Sequence, residues 1–493
     1  MGGVRYGRDA AVEPHLTLAT TGHALLGELA ALVGHEAVRP GSDRAYLGDA
    51  TEAQGLVGRA DAICLPGSAE DVARVVAWCY EHDVAIVPRG GGTGYAGGAV
   101  PIDGGVVVAL ERLDRVRSFD PLVWRICVEA GVRTARLRRL AAEHGLLFPP
   151  DPGGAESSQI GGNIATNAGG PHAFKYGVTG SWVTGLEAVV PPGELISVGG
   201  AARKDVAGYD LKSLLVGSEG TLGIVTAAWL RLVPAPEAAF PVLGFYRSAA
   251  EGSAAVARVL GDGLPVAALE YLDEGTLEAA GPTFPGGVPD GTRFLVVAEA
   301  DGAAAEAARL RDEVVAVLGE DAVAVRSPSA AADVRALWRW RGGVSIAVTS
   351  RLGWKVSEDV AVPVDRLGEA IAATVEIGRR HGLPACSWGH AGDGNLHSTF
   401  LLTPGDREEL ERATAAAGEL FALAVELGGT VSGEHGLGWT KRGELRRQWG
   451  PRALALHAAV KLAFDPKGLL NPGKKTSAAR DERALPTLGA VTE

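Results

Sequence analysis

Val84-Ala85-Ile86-Val87-Pro88-Arg89-Gly90-Gly91-Gly92-Thr93-Gly94-Tyr95-Ala96-Gly97-Gly98-Ala99-Val100-Pro101-Ile102-Asp103-Gly104-Gly105-Val106-Val107-Val108-Ala109-Leu110 is the stretch on which the fold turns. Residues 92–97 satisfy the G-x-G-x-x-G pattern and follow a strand-like run. A dinucleotide-binding loop of that type opens into a helix whose N-terminus faces the pyrophosphate. Here Pro101 and a second glycine pair lead straight to the apolar run 106–110, so the segment reads strand, glycine loop, strand. Phosphate binding survives this reading, because successive N–H groups unobstructed by side chains form an anion-binding concavity, with Arg89 at its entrance. The bland alternative is a flexible surface loop.

Upstream, Ser68 caps a helix whose Val72, Val75, Val76, Cys79 and Tyr80 share one face, with Glu70 and Asp71 at its positive end. Strand-like runs at 62–65 and 84–87 flank it. Downstream, a second glycine-rich stretch (151–180) centres on Ser157-Ser158-Gln159-Ile160-Gly161-Gly162-Asn163-Ile164-Ala165-Thr166-Asn167-Ala168-Gly169-Gly170. Its small and amide residues allow close backbone approach to a flat polar ligand; an awkwardly turning connection is the alternative. A third segment, Gly217-Ser218-Glu219-Gly220-Thr221-Leu222-Gly223-Ile224-Val225-Thr226, runs into a strand and then Pro234-Ala235-Pro236, which reads as a boundary. Beyond it come amphipathic helices at 303–318 and 367–380 with short strands between them, a second α+β domain. The tail after Lys475 reads as mobile.

At 493 residues the chain needs two or three domains, and 46% apolar against 22% charged residues is globular composition. A net charge of -12 repels nucleic acid, which is therefore excluded as a partner. The first residues hold no apolar run for a signal peptide, and no later stretch is long enough to span a bilayer. Cys64, Cys79, Cys127 and Cys386 form no CxxC pair, so reduced thiols in a cytoplasmic protein are expected.

In Cys386-Ser387-Trp388-Gly389-His390-Ala391-Gly392-Asp393-Gly394-Asn395-Leu396-His397, the Gly-Asp-Gly-Asn core is a turn signal between two strand-like runs. A hairpin there brings His390 and His397 together at its base, where they either share an ion or hydrogen-bond the turn. Glu434, in Ser432-Gly433-Glu434-His435-Gly436-Leu437-Gly438, is a candidate third ligand. Such a set suits zinc, iron or manganese and does not choose among them. His435 beside it is a candidate general base, or a satisfied surface histidine.

The three N-terminal segments together resemble the FAD-binding domain of the vanillyl-alcohol oxidase and p-cresol methylhydroxylase (PCMH) superfamily. With the C-terminal half, the chain resembles the FAD-linked D-2-hydroxy-acid dehydrogenases, the group of D-lactate dehydrogenase, the glycolate oxidase FAD subunit and D-2-hydroxyglutarate dehydrogenase. The likeness covers residues 55–475. It implies an α+β fold: a helical lead-in (1–54), a two-subdomain PCMH-type FAD-binding domain (55–236), an α+β, ferredoxin-like FAD-linked oxidase domain (237–464) and a return to the flavin (465–475). It implies noncovalent FAD held by Pro88, Arg89, Gly90, Gly91, Gly92, Thr93, Gly94, Tyr95 and Gly98 around the pyrophosphate. The flavin and ribityl chain would lie along Ser157, Gly161, Gly162, Asn163, Ala165, Thr166, Asn167, Gly169 and Gly170, with Tyr176 and Gly177 beyond. Glu219, Gly223 and Ile224 would complete the cofactor site, Ile224 by the adenosine, with Asn471 near the isoalloxazine ring. The resemblance also implies metal ligation by His390, His397 and Glu434, a base at His435, and substrate binding by Arg341, Ser345 and Lys355. The implied reaction oxidises a small, D-configured 2-hydroxy acid such as D-lactate, D-2-hydroxyglutarate or glycolate by hydride transfer to flavin N5.

Two positions depart from the family pattern: Ser345 replaces a frequent threonine, and Val356 follows Lys355 where some relatives have tyrosine. The implied electron acceptor is a quinone, a cytochrome, an electron-transfer flavoprotein or an iron–sulfur subunit, at which the protein would meet a membrane, and a homodimer is compatible. The rival readings are an NAD-dependent dehydrogenase, a metal-dependent hydrolase on His390, His397 and Glu434, and a noncatalytic flavin-binding subunit. The missing helix after residue 97 weighs against the first; the second leaves both glycine loops unexplained.

Overall fold

The computed structural model describes residues 22–51, 55–351 and 353–476; most of the expected lead-in's first half and the tail beyond Thr476 lie outside them. The first sheet, in the order β1-β2-β4-β3, consists of β1 (Val38–Pro40), β2 (Ala62–Cys64), β3 (Ile86–Arg89) and β4 (Val106–Ala109). The lead-in is thus not helical throughout: after the helix Gly22–Val33, β1 pairs antiparallel with β2 and extends the sheet. Both β2 and β3 run parallel to β4. The helix Ala69–Glu81 starts as its sequence predicts, the Ser68 side chain accepting from the Asp71 N–H, and buries Val72, Val75, Val76 and Cys79. No helix interrupts the path from β3 through the glycine loop to β4.

A second, antiparallel sheet contains β5 (Val116–Asp120), β6 (Arg125–Glu129), β8 (Val183–Val190), β9 (Glu194–Gly199) and β10 (Ile224–Arg231), in the order β5-β6-β10-β8-β9. Between β6 and β8 come the short strand β7 (Leu146–Leu147), paired with β11 (Val233–Pro234), and two short helices, Ile160–Thr166 and Ala173–Tyr176. The second glycine stretch is therefore partly helical. Gly161 must be small because its N–H meets the Ala130 carbonyl and a Cβ would lie 2.7 Å from the Ala130 side chain.

The third sheet has seven strands: β12 (Ala238–Tyr246), β13 (Ala268–Leu272), β14 (Phe294–Gly302), β15 (Ala324–Arg326), β16 (Trp354–Ala361), β17 (Ala385–His390) and β18 (Asn395–Leu402). Their order is β15-β12-β14-β13-β17-β18-β16. The first four follow the βαββαβ path of a ferredoxin-like unit, with helices Ala249–Gly261 and Ala304–Gly319 as its crossovers. β16, the helix Leu367–Arg380, β17, β18 and the helix Arg407–Glu426 retrace that path, and Thr430 bridges Ala361 where a fourth strand would lie. Two such units joined at β13 and β17 account for the unusual width of the sheet.

One face of this sheet packs under those four helices around Leu269, Tyr271, Val296, Phe400 and Phe421. On the other face, register and the two-residue strand period align Glu270 with His390, Asn395 with His390, and Asp359 with His397. Lys355 and Ser357 of β16, and Glu299 and Asp301 of β14, share that face. It looks toward the glycine-rich half.

After the helix Pro451–Phe464 the chain returns to the first sheet. Ile86 N–H donates to Leu469 O at 2.8 Å and Asn471 N–H to Ile86 O at 2.7 Å, so this segment adds a short parallel edge beside β3. No helix among the described residues is long and apolar enough to cross a membrane.

Candidate active site

The two halves enclose one continuous cavity of about 1090 Å³. One end is walled by the loop after β3, the helix Ile160–Thr166 and residues 218–225. The other is walled by the helices Ala331–Gly342 and Val344–Ser350, by β16–β18, and by the loop carrying Glu434 and His435.

At the first end, the two glycine stretches press together. A Cβ on Gly91 would lie 2.3 Å from the Ser157 carbonyl oxygen, and one on Gly90 3.2 Å from the Gly162 Cα. Among the described residues, the N–H groups of Gly91, Gly92, Thr93, Gly94 and Tyr95 find no protein acceptor. That leaves a run of open donors suited to a pyrophosphate. Two buried acceptors on the same walls, Asp49 Oδ2 and Gln159 Oε1, also lack a partner. Open donors, orphaned acceptors and a Cβ-free cradle together fit a dinucleotide cofactor such as FAD.

Pro88, Gly90 to Gly94, Tyr95, Gly98, Gly161, Gly162, Asn163, Ala165, Thr166, Gly170, Tyr176, Gly223 and Ile224 line this cavity. Arg89 also borders it, but its guanidinium donates to Gly48 O at 2.6 Å and Ala45 O at 3.0 Å. It braces the segment opposite the glycine loop and packs its guanidinium against Gly92 of that loop, where a Cβ would lie 2.1 Å from Nη2. Glu219 likewise turns away, accepting from the N–H groups of Leu437 and Gly438 at 3.0 and 2.6 Å, and so holds the loop that carries Glu434 and His435. Ser157, Asn167, Gly169, Gly177 and Asn471 stand behind the wall. Asn167 Oδ1 accepts from Gly180 N–H, and Gly169 must be small because a Cβ would meet Glu434 Oε2 at 2.9 Å. The Asn471 amide donates to Gly98 O and Glu219 O, which makes it a clip for the returning chain.

At the other end, β17 and β18 form the predicted hairpin, and His390 and His397 meet with ring centroids 5.4 Å apart. Both His390 Nε2 and His397 Nε2 lie 3.4 Å from Glu434 Oε1, and all three ligand atoms fall within 4.8 Å of one another. Asp359, His397 and His435 form a second close set. Asp359, however, already accepts from Asn395 Nδ2, Ser432 Oγ and the N–H groups of Glu434 and His435. Its lone pairs are committed, whereas Glu434 faces imidazoles alone, so His390, His397 and Glu434 fit a divalent ion better.

The protonation pattern supports two imidazoles of different character. Burial opposes charge on His390, yet the Glu270 carboxylate at its Nδ1 (2.6 Å) holds its pKa well above the usual imidazole value. His397, desolvated and facing other imidazoles, is pulled down to about 3. Burial also opposes charge on Glu434, but the hydrogen bond from His390 and the surrounding histidines hold its carboxyl down at about 2. Asp359 is held far below the carboxylate range, burial being outweighed by His435, Lys441 and His397.

His435 stacks between Tyr95 (4.7 Å) and His397 (5.2 Å), which fixes its ring plane, and its Nε2 is 3.9 Å from Glu434 Oε1. Gly433 is required here because a Cβ would lie 2.1 Å from Asn395 Nδ2. Arg341, buried on the helix Ala331–Gly342, forms an ion pair through Nη2 with Glu270 Oε2 at 2.5 Å, while its buried Nε and Nη2 find no protein hydrogen-bond acceptor. Lys355 Nζ donates to Ser345 Oγ (2.6 Å) and Ser345 O (2.9 Å) on the facing helix. Three cationic or imidazole donors and a carboxylate thus converge on one apolar-walled space, an arrangement suited to a small carboxylate with an adjacent hydroxyl.

Sequence reasoning missed Glu270, Asp359 and a bridge between the halves. In that bridge His172 Nδ1 meets Asp151 at 2.6 Å and Nε2 meets Glu299 at 2.8 Å, and Glu299 in turn accepts from Trp338 Nε1 at 2.7 Å. The available signal for Glu270 was a charge inside an otherwise apolar strand, Ala268-Leu269-Glu270-Tyr271-Leu272; Asp359, beside Glu358 in a mixed strand, carried none.

Comparison with known proteins is consistent with this division. A model of the FAD binding domain matches residues 60–199, and one of the FAD linked oxidases' C-terminal domain matches residues 235–475. The chain is 37% identical over 415 residues to glycolate oxidase subunit GlcD of Bacillus subtilis, covering 84% of this chain and 88% of that protein. It is 34% identical over 421 residues to a D-lactate dehydrogenase of Anaerostipes hadrus, covering 83% and 87%. Among solved structures, substrate-bound p-cresol methylhydroxylase superposes with a TM-score of 0.75 at 18% identity, covering 92% of this chain and 96% of that one, a likeness of fold alone.

Proposed function

The chain belongs to the FAD-linked D-2-hydroxy-acid dehydrogenase family of PCMH-type flavoproteins, and from that premise we propose how its cavity divides the work. It is an FAD-dependent oxidoreductase of small 2-hydroxy acids. The observation that supports the proposal is the continuity of the cavity from the glycine loops to the Arg341 and histidine cluster, which would let a dinucleotide and a small acid meet.

FAD, when bound between the glycine stretches, supplies the acceptor for the α-hydrogen and its electron pair. Arg341, which lines the cavity with hydrogen-bonding capacity the protein does not use, binds the substrate carboxylate, and Lys355 adds a second positive charge. His390, His397 and Glu434 would hold a divalent ion, whose chemistry there is that of a Lewis acid at the hydroxyl oxygen. His435 takes the hydroxyl proton at its ring nitrogen, and Tyr95 and His397 on either side keep that ring from turning away. The product is the 2-oxo acid. A separate redox partner, a quinone, cytochrome, electron-transfer flavoprotein or iron–sulfur subunit, then receives the electrons; the D-configuration of the substrate belongs to the same proposal. The same reading divides the chain into a flavin half to about residue 236, a substrate half to residue 464 and the return after it, a division supported by the change of sheet between β11 and β12.

The test is anaerobic absorbance of the purified protein before and after D-lactate, D-2-hydroxyglutarate or glycolate. Bleaching of an oxidised flavin spectrum by one of them, and not by its L-enantiomer where one exists, is the expected result; a flavin that none of them bleaches would remove the proposed site.

Two further outcomes are expected. Burial brings the Lys355 ammonium down to about 8, so its charge is present below that pH and lost as pH rises through it. KM for the acid should therefore climb from about pH 7 to about pH 9, and a flat KM would take Lys355 out of substrate binding. Gly91→Ala pushes a methyl group into the Ser157 carbonyl, with no flexible side chain to yield. Overpacking of this kind costs about 1–3 kcal/mol, so FAD retained per polypeptide on gel filtration should drop several-fold or more; wild-type retention would show that the loops can part freely.

A further inference from the structure

Glu270 touches neither the glycine-loop end of the cavity nor any of the three proposed ligand atoms, yet it sits between the two groups that define the other end. It is completely buried in the middle of β13, directly opposite His390 on β17, at the seam where the two ferredoxin-like units join. Its two oxygens are divided. Oε1 lies 2.6 Å from His390 Nδ1, and Oε2 lies 2.5 Å from Arg341 Nη2.

We propose that Glu270 is a positioning residue that sets the distance and orientation between the carboxylate clamp and the metal pole, by holding Arg341 and His390 with one carboxylate. The inference rests on the roles of Arg341 and His390 proposed above. A carboxylate accepts on both oxygens, so it anchors the His390 ring through Nδ1 and keeps Nε2 pointed at Glu434 and His397, where a divalent ion would take the place of the Nε2 proton. The same group sits against the guanidinium as its counter-charge, while the buried Nε and Nη2 of Arg341 keep hydrogen-bonding capacity that no protein acceptor takes up. Because Glu270 belongs to a central strand paired on both sides, by β14 and β17, neither contact can drift without the sheet. The substrate's carboxylate and hydroxyl are therefore received by groups whose separation is fixed before it arrives, which is what a small 2-hydroxy acid with adjacent binding atoms requires.

Glu270→Gln is the discriminating variant, because an amide has one acceptor and one donor and cannot accept from both partners. If its oxygen stays with His390, its NH2 confronts Arg341 and KM rises. If its oxygen turns to Arg341, its NH2 confronts His390 Nδ1, the other tautomer is favoured and metal is lost. The measurements are Zn(II) and Mn(II) retained per FAD after chelator treatment and titration, KM against kcat for the acid that bleaches the wild type, FAD content and melting midpoint. The expected result is a loss of about 10–100-fold in metal affinity or in KM with FAD content unchanged. Glu270→Asp, which keeps the charge but cannot span both partners, should show the same pattern and decides the matter if the amide variant does not fold. Metal affinity and KM both within twofold of wild type would overturn the inference, as would losses that merely track falling FAD content and melting midpoint. A wild type that binds neither metal, or that no 2-hydroxy acid reduces, would sink the parent reading and this one together, an outcome distinct from a normal wild type with an indifferent Glu270 variant.

Discussion

Replacing His435 with glutamine is expected to slow anaerobic reduction of the bound FAD by about 10²–10⁴-fold, the usual contribution of a positioned proton acceptor. The change should be confined to that step. His435 is held from outside: its N–H and that of Glu434 are bound by Asp359, and Glu219 holds the loop two and three residues further on. Glutamine therefore inherits a fixed backbone and loses only the basic ring nitrogen. Stopped-flow absorbance at saturating acid, alongside FAD content and melting midpoint, checks the result. An unchanged reduction rate would mean that another group takes the proton.

The second large effect is expected at Arg341. Truncation to Met removes a charge-assisted contact to the substrate and uncovers the Glu270 carboxylate, which then faces the incoming anion. Losing one member of a buried, hydrogen-bonded charge pair costs about 2–5 kcal/mol, so kcat/KM should fall accordingly, mainly through KM. Arg341→Lys restores a point charge without the two-pronged geometry and should recover part of that loss. If Met and wild type differed less than about threefold in KM, the clamp would have to lie elsewhere, with Lys355 the next candidate.

The parts of this site that were legible in the sequence are those in which local chemistry dictates local shape. The glycine loop running into a strand, the Ser68 cap and the Gly-Asp-Gly-Asn hairpin each state their own geometry. The hairpin alone was enough to bring His390 and His397 together. What stayed hidden depends on which strand lies next to which. Glu270 precedes His390 by 120 residues and meets it through the register of β13 on β17, which no periodicity within either strand reveals. Asp359 is found the same way, through β16 on β18. Arg89 and Glu219 border the cavity and Asn471 stands behind its wall, but a motif says which residues gather and not which way their side chains face. All three turn out to fasten backbone: the segment before the loop, the base-bearing turn and the chain's end.

That last fastening bears on how the protein is made. The Tyr80 hydroxyl meets Asp465 across 385 residues of sequence, and Ile86 shares its backbone bonds with Leu469 and Asn471. During synthesis the first sheet emerges with the edge beside its cofactor loop still open, and it waits while the rest of the flavin half and the whole substrate half are translated, roughly 20–80 s at ~5–20 residues per second. The seam can close only once residues 465–475 have left the ribosome. FAD capture by a finished site is thus deferred until they emerge, and a chain broken short of residue 471 would carry both glycine loops without the strap that fixes one against the other.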